Sequence, residues 1–286
     1  MNVLETIKER MSSLPRTQKK AASYFYDNWE KVAYLSTSEV SAATGLSQAT
    51  IVRATVSLGF GGFVDFQESL REFIQHRLST VHRLDRSQKI VQTKKNSDQE
   101  LIGSLFQKLM DNLDSTYRKL NTQDLISAVK LISTARRVVV IGMRSSVAAA
   151  HYLGFNLSMI RDNVLVVSSD HGVAEALAYL SEADVAISFS FPRYTKTAVR
   201  ATKTARDLGA RVIAISDSST SPIAELADIG FIAETNSLHF NHSLVAVIGL
   251  IDVLLFLLIR GRQAEAREHL ANLEKQWESL GTFHRG

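Results

Sequence analysis

The sequence of this 286-residue chain predicts two domains, an all-helical domain followed by an α/β domain with a parallel sheet. Three observations predict this organisation. The chain is longer than a single domain usually is. Up to about residue 78, the apolar residues follow a helical period throughout. Beyond residue 101, short β-branched runs alternate with helical stretches, a pattern typical of parallel strands covered by helices on both faces.

The helical domain contains the start and stop signals of two short helices joined by a tight turn. Ser36 stands three residues before Glu39, the spacing of a capping box that begins a helix. Gly45 is placed to end that helix, because glycine adopts the left-handed conformation without a steric clash. Ser47 is placed to cap the next helix. The sequence therefore predicts a helix-turn-helix, a motif that binds DNA in the major groove.

The second predicted helix has one apolar face and one polar face. Ile51, Ala54 and Leu58 share the apolar face. The candidate DNA-binding residues lie at the start of this helix and on its other face: Ser47, Gln48, Ala49, Thr50, Val52 and Arg53. Glutamine and arginine match the edges of adenine and guanine, and small apolar side chains contact the thymine methyl group. An ordinary pair of helices with a solvated outer face remains the alternative.

The remaining helical signals complete a domain over residues 1–78. Pro15 is placed to open a helix on which Ala22, Phe25 and Trp29 share a face. A glycine-flanked aromatic turn at 59–63 precedes the last helix. Residues 79–100 are polar and charged, which predicts a linker, and residues 101–286 form the second domain.

The second domain contains five strand candidates, and its ligand site is expected where these strands end. In parallel sheets, ligands bind at the carboxyl ends of the strands, in the loops that lead into helices. The candidate strands are Arg137–Gly142, Val164–Ser168, Asp184–Phe191, Arg211–Ser216 and Ile229–Ala233. Three of the following loops are rich in serine and threonine. Hydroxyls and free amides at helix N-termini bind phosphate or carboxylate, although these residues also serve as simple helix caps.

Composition narrows the class of protein. The chain contains no cysteine, which excludes disulfides, thiol catalysis and cysteine zinc sites and suits a reducing cytoplasm. A net charge of +4 permits nucleic-acid binding without indicating it. Residues 243–259 are almost continuously apolar. We expect a buried helix there, at a subunit interface, and no membrane span, because Asp252 is strongly disfavoured in lipid.

Nearly the whole chain resembles the RpiR-type transcriptional regulators, which join a helix-turn-helix to a sugar isomerase (SIS) domain. The N-terminal match runs through residues 39–40, 45–47, 50–53, 58–60, 62–63 and 66, and the C-terminal match includes Ser146, Ser188, Ser190, Thr195 and Lys196. The resemblance implies an all-α helix-turn-helix domain followed by an α/β three-layer SIS domain with a five-stranded parallel sheet. It also implies that the serine-rich loop with Ser188, Ser190, Thr195 and Lys196 holds a phosphate.

Two departures from the family pattern suggest a rebuilt effector pocket. Arg144 stands where the family has a second glycine, and the bulkier 191–194 segment replaces the glycine expected after Ser190. Because arginine also binds carboxylates in a bidentate manner, we expect a small anionic effector, either a sugar phosphate or a carboxylate. A structural salt bridge is the alternative for Arg144. The candidate ligand-binding residues are Arg144, Ser145, Ser146, Ser188, Ser190, Arg193, Thr195 and Lys196.

The expected function is therefore that of a cytoplasmic regulator, a homodimer or homotetramer that binds double-stranded operator DNA under the control of a small anionic metabolite. No catalytic residue, metal, cofactor or membrane contact is expected. The alternative is a SIS-type sugar-phosphate isomerase, for which a carboxylate or histidine would act as the base. The possible bases are Glu234, His239, His242 and His171. An enzyme does not need a helix-turn-helix, so we favour the regulator.

Overall fold

The computed structural model describes residues 3–284, apart from 79, 82, 86, 87 and 89–96. The chain divides into two compact units, Met1–Asp85 and Arg86–Gly286. Most of the predicted linker at 79–100 lies outside the described residues. A helix begins at Asp98, inside that predicted linker, because Ser97 and Glu100 form a reciprocal capping box that fixes its first turn.

The described part of the first unit is helical, as predicted. Its helices are α1 (Val3–Met11), α2 (Arg16–Asp27), α3 (Trp29–Val32), α4 (Thr37–Thr44), α5 (Gln48–Ser57) and α6 (Phe63–Leu78). The predicted helix-turn-helix is confirmed as α4 and α5. Ser36 and Glu39 form the capping box, and Gly45 ends α4 with φ +69°. The Ser47 hydroxyl accepts a hydrogen bond from the Thr50 amide at the start of α5.

The predicted apolar face of α5 lies in the core of the first unit. Ile51, Ala54 and Leu58 are fully buried, and Phe25 packs against Phe66 with ring centroids 4.9 Å apart. One expectation is wrong. Trp29 does not continue the helix of Ala22 and Phe25, because the chain leaves helical geometry at the preceding residue and a separate short helix begins at Trp29. Its ring instead packs edge-on against Phe73 at 5.4 Å.

The second unit is a parallel sheet covered by helices, and all five predicted strands are confirmed. In chain order its elements are α7 (Asp98–Lys119), α8 (Thr122–Thr134), β1 (Val138–Gly142), a 3-10 turn (Arg144–Ser146), α9 (Val147–Ser158), β2 (Val164–Val167), α10 (Val173–Leu177), β3 (Val185–Phe189), α11 (Lys196–Asp207), β4 (Arg211–Ser216), β5 (Ile229–Ile232), α12 (Val245–Gly261) and α13 (Gln263–Leu280). Four strands are one to three residues shorter than predicted, although flanking residues such as Arg137 and Asp184 still accept backbone hydrogen bonds from neighbouring strands.

The strand order places the loop after β1 beside the loop after β3. The sheet has the order β2-β1-β3-β4-β5, and all of its neighbouring strands are parallel. In the register of β1 and β3, Gly142 lies opposite Phe189. The loop after β1 and the loop after β3 therefore leave adjacent strands at the same edge of the sheet.

The apolar segment at 243–259 forms α12, as predicted. Seven of its side chains are buried, and six of them, among them Leu250 and Leu254, join the main core of the second unit. Within the described part of the chain, no helix has both the length and the apolar character to cross a membrane. One side of α12 nevertheless carries exposed apolar residues, including Phe256.

Candidate functional site

The outer face of α5 presents the candidate DNA-binding residues to solvent. Gln48, Ala49 and Arg53 are exposed, as is the N-cap residue Ser47. Val52 is 38% exposed and Thr50 is half-buried. The outward face of this helix therefore carries Gln48, the single cation Arg53 and three apolar side chains, Ala49, Val52 and Val56, the last of which is 53% exposed.

Local hydrogen bonds position Gln48 and Arg53, the two side chains on this face whose donors match the edges of bases. The Gln48 side-chain oxygen accepts a hydrogen bond from the Thr37 hydroxyl at 3.3 Å. Arg53 Nε donates to the Ala49 carbonyl oxygen at 3.2 Å. The Gln48 amide nitrogen and the terminal nitrogens of Arg53 make no hydrogen bond with the residues that the structure describes. Both groups are thus held at the helix surface with donors available to a partner.

The loop after β1 brings Arg144, Ser145 and Ser146 to the strand ends. Arg144 has φ +53°, a left-handed conformation that costs a non-glycine residue about 1 kcal/mol. Its side chain is exposed and makes no ion pair or hydrogen bond with any described residue. The salt-bridge alternative for Arg144 thus has no partner in the described part of the chain. Backbone strain of this kind is concentrated at ligand sites in proteins.

The loop after β3 contributes the second group of candidates. Arg193 also has a left-handed backbone, with φ +69°, and is exposed. Ser190 is only 3% exposed, and its hydroxyl makes no hydrogen bond with a described residue. Ser188 is fully buried, and its hydroxyl accepts a hydrogen bond from the Thr202 hydroxyl at 2.8 Å. Ser188 therefore lies beneath the loop and is the least accessible of the eight candidates.

Two of the hydroxyls do not act as helix caps. Ser146 precedes α9 and Thr195 precedes α11, yet neither side chain makes a capping hydrogen bond with the residues described. By contrast, Ser47 and Ser97 both cap the helices that follow them. The explanation that these strand-end hydroxyls serve only as caps therefore does not hold for Ser146 and Thr195. The first turn of α11, with Lys196 at its start, retains donors for an anion, whereas the first amide of α9, that of Val147, already donates to the Arg144 carbonyl.

Contacts that the sequence did not indicate hold the β3 loop in place. The Tyr194 hydroxyl donates to Asp217 Oδ1 at 2.9 Å, and the Ser216 hydroxyl donates to the Ser190 carbonyl oxygen at 2.7 Å. His242 Nε2 lies 3.2 Å from the Pro192 carbonyl oxygen. The only signal in the sequence was the position of Asp217 directly after a strand. Together these contacts fix the backbone that carries Arg193.

We predict that the wild-type protein loses stability as the pH rises through the range in which Asp217 ionises, and that Asp217→Asn abolishes this loss. Burial raises the pKa of Asp217 in the folded protein above its value in the unfolded chain. The folded state then binds the proton more tightly, so the free energy of unfolding falls as the pH rises from the unfolded pKa through the folded pKa. Asparagine keeps an acceptor for Tyr194 but does not ionise. Urea unfolding across the acidic range checks this, and identical pH profiles for the two proteins would contradict it.

The other polar groups near this edge are committed to contacts within the protein. In the loop after β4, the hydroxyls of Ser218 and Thr220 lie 2.9 Å apart. Glu234 forms an ion pair with Lys119 and accepts a hydrogen bond from the Asn236 amide at 2.7 Å. The carboxylate best placed to act as a base in the isomerase alternative is therefore neutralised by a cation.

A concavity of about 850 Å³ lies at the opposite edge of the sheet, and its arginines have structural contacts. Its arginines bind carbonyl groups at the C-terminal end of α8. Arg161 donates to the carbonyls of Ile132 and Ala135, and Arg262 donates to the carbonyl of Ser133. Burial and then the nearby Arg262 charge lower the pKa of Arg161. Cations that neutralise a helix C-terminus stabilise it, and here they are not available to a ligand.

Comparison with known proteins adds two matches to family models. Residues 1–77 match the model described as a helix-turn-helix domain of the rpiR family. Residues 131–258 match the SIS domain model. The two matches cover the described helix-turn-helix and all five strands of the sheet.

Similar proteins extend these matches along the chain. An uncharacterized HTH-type transcriptional regulator of Clostridium perfringens is 25% identical over 94% of this chain and 96% of its own length. The HTH-type transcriptional regulator HexR of Escherichia coli is 26% identical over 96% and 94% of the two chains. The sugar isomerase domain of an RpiR transcription factor from Sphaerobacter thermophilus is 28% identical, with a TM-score of 0.60 over 62% of this chain and 99% of that domain. The Vibrio vulnificus NanR protein, solved with ManNAc-6P, shares the fold with a TM-score of 0.64 over 98% and 99% of the chains at 19% identity.

Proposed function

This chain belongs to the RpiR family of helix-turn-helix transcriptional regulators with a SIS domain, and we propose that it binds double-stranded operator DNA under the control of a small anionic metabolite. Two features together carry the proposal: an exposed α5 face with Gln48 and Arg53, and, at the strand ends of the second unit, hydroxyls that do not cap helices beside arginines with left-handed backbone. The first would read DNA and the second would bind the effector.

The DNA-binding half of the proposal assigns roles to the residues on α5. Gln48 and Arg53 would donate to base edges in the major groove, and Ala49 and Val52 would contact thymine methyl groups. Ser47 and Thr50 lie at the start of α5, where hydroxyls and backbone amides approach the phosphate backbone. The capped, rigid geometry of α4 and α5 supports this assignment, because it fixes the angle at which α5 would enter the groove.

The effector half assigns the anion to the edge of the sheet where β1 and β3 end. The hydroxyls of Ser145, Ser146, Ser190 and Thr195, with Lys196 and the first amides of α11, would hold a phosphate. Ser188 would support this cradle from below. Arg144 and Arg193 would bind a second anionic or hydroxyl-bearing part of the ligand. NanR, a protein of the same fold, was solved with ManNAc-6P, so phosphosugars are the first effectors to test, followed by carboxylates.

Control of DNA binding requires communication between the two halves. We propose a helix-turn-helix domain at 1–78, a connecting segment at 79–100 and an effector-binding and assembly domain at 101–286. Symmetric subunits would present two α5 helices to a roughly palindromic operator, with half-sites separated by whole turns of duplex. The effector would have to favour one arrangement of the domains over another to change DNA affinity.

The chain is a regulator and not an isomerase. Its relatives over nearly the full length are named transcriptional regulators. The neighbours of the candidate bases support the same conclusion. Glu234 is paired with Lys119, and His242 contacts the Pro192 carbonyl, so each has a role in holding the loops. Purified protein should therefore not turn over phosphosugars.

Arg53→Ala tests the DNA-binding half directly. We expect it to weaken binding by roughly ten- to hundredfold at fixed salt, because a bidentate arginine contact contributes about 1–3 kcal/mol of base discrimination. The measurement is a gel shift on a duplex selected from a random-sequence pool by the wild-type protein. Arg267→Ala removes the same charge from an exposed position on α13 and should bind normally. Equal affinities of Arg53→Ala and wild type would contradict the assignment.

A further inference from the structure

Helix α7 carries a stripe of large apolar side chains that nothing in the described chain covers. The α7 stripe consists of Ile102, Phe106, Met110, Leu113 and Tyr117, which are between 39% and 74% exposed. Their spacing of three or four residues places them on one face of the helix. At 1.5 Å per residue the stripe is about 22 Å long. An adjacent face of α7 is held by the fold, where Asn112 and Thr116 are buried.

The exposed apolar surface continues from α7 onto α12 and α9. A Cβ atom at Gly249 on α12 would lie 3.0 Å from Leu113 Cδ2, so the stripe borders this helix closely. Val253 and Phe256, four and seven residues further along α12, share the face of Gly249 and are exposed. On the neighbouring α9, the Tyr152 hydroxyl donates to Asp252 Oδ1 of α12 at 2.7 Å. Contiguous apolar surfaces of this kind mark interaction sites.

The order of side chains along the α7 stripe is self-complementary in the antiparallel direction. Its midpoint lies between Leu109 and Met110. Ile102 and Tyr117 are equally far from that point, and so are Phe106 and Leu113. A second α7 helix related by a two-fold axis through the midpoint would therefore place each small side chain opposite a large one. Isologous interfaces require this property, and it favours a second copy of the chain over an unrelated partner.

Charge also selects the antiparallel direction. Glu100 and Arg118 are about five turns apart on the same flank of α7, near its two ends. An antiparallel pair brings Glu100 of one helix beside Arg118 of the partner subunit, twice by symmetry. A parallel two-fold pair would put this flank of the two helices on opposite sides of the contact, so these opposite charges would not meet, and it would align the helix dipoles unfavourably. Arg118 is already oriented along this flank by Asp114, 2.8 Å away.

We infer that the α7 stripe and the adjoining face of α12 form a two-fold interface with a second copy of this chain. The two α7 helices pack antiparallel, with Met110 at the axis and Ile102 against Tyr117 of the partner subunit. The inference rests on the proposed function, since a symmetric assembly is what would present two α5 helices to one operator. It assigns the surface and the register, which the proposed function leaves open.

Cysteine cross-linking tests the register, because the chain contains no cysteine of its own. With a short bismaleimide, Met110→Cys should form covalent dimers in high yield. Ile102→Cys alone should remain monomeric on a denaturing gel, whereas the double variant Ile102→Cys, Tyr117→Cys should cross-link. Efficient cross-linking of Ile102→Cys by itself would indicate parallel helices and would overturn the inference. Failure of Met110→Cys to cross-link would also overturn it.

A charge placed in the stripe tests the surface itself. Phe106→Glu should raise the dissociation constant of the dimer at least roughly tenfold in light scattering, because it buries a charge at the centre of the contact. Tyr179→Glu is the matched control. Tyr179 follows α10 and is 75% exposed, so this variant should assemble normally. A Phe106→Glu protein that stays dimeric would overturn the inference. Gel shifts and phosphosugar binding are separate measurements, so the proposed function is tested independently of this result.

Discussion

Alanine at position 142 is expected to destabilise the second unit by about 2 kcal/mol or more and to abolish effector binding. Gly142 is the last residue of β1 and is buried where the candidate loop begins. A Cβ atom there would lie 2.6 Å from the Ala150 Cβ and 2.7 Å from the Ser146 carbonyl oxygen. Because one of these neighbours is backbone, relief requires moving the turn that carries Arg144 and Ser146. The same substitution therefore damages both the core and the site.

Gly230→Ala provides the matched control for this prediction. Gly230 lies in β5 of the same sheet, and a Cβ atom there would meet nothing within 4 Å. It should unfold at nearly the wild-type urea concentration. Unfolding is followed by the fluorescence of Trp277, which lies in the second unit, with Trp29→Phe in both proteins to remove the signal of the first unit. Equal unfolding midpoints for Gly142→Ala and Gly230→Ala would show that the turn after β1 is not as tightly packed as its contacts indicate.

Arg144→Gly is expected to weaken effector binding by roughly ten- to hundredfold while the protein becomes more stable, because charge-assisted hydrogen bonds contribute about 1.5–3 kcal/mol. Glycine accepts φ +53° without a clash, so the substitution relieves about 1 kcal/mol of backbone strain. A residue whose role was structural would instead lose stability when removed. A fall in effector affinity together with a rise in stability would identify Arg144 as a ligand-binding residue.

Two controls separate strain from charge in this experiment. Asn163 also has a left-handed backbone, with φ +58°, but lies before β2 at the opposite edge of the sheet. Asn163→Gly should relieve strain and leave effector binding unchanged. Arg200→Ala removes an exposed charge from α11 beyond its first turn and should have little effect on either property. Thermal shifts across a panel of phosphosugars and carboxylates provide both measurements, and unchanged effector affinity of Arg144→Gly would refute the role of Arg144.

The sequence predicted those parts of the molecule that local signals determine. The capping box of Ser36 and Glu39, the left-handed Gly45 and the cap at Ser47 depend on residues three or fewer positions away, and all were found in place. The five strands were also predicted, because buried parallel strands are continuous runs of β-branched residues. The strand order, which places β3 beside β1 and so brings their two loops together, was not predicted from these runs.

The remainder depends on contacts between distant segments, which the sequence does not encode locally. The hydrogen bond of Tyr194 to Asp217 and the contact of His242 with Pro192 join different loops. The burial of Ser188 beneath its loop follows from Thr202 on the next helix. Trp29 makes apolar contacts, but it lies in a separate short helix and not in the predicted one. Apolar periodicity does not detect a one-residue break in a helix.

The central claim, that an anion bound at the strand ends changes the affinity of α5 for DNA, is tested most directly by one titration. Fluorescence anisotropy of the selected duplex is measured at fixed salt with and without a phosphosugar that produces a thermal shift. Wild type should change its DNA affinity at least about fivefold, the lower end of typical allosteric coupling. Ser190→Ala should bind DNA with the unliganded affinity and show a much smaller response. Superimposable wild-type curves with and without saturating effector would contradict the account.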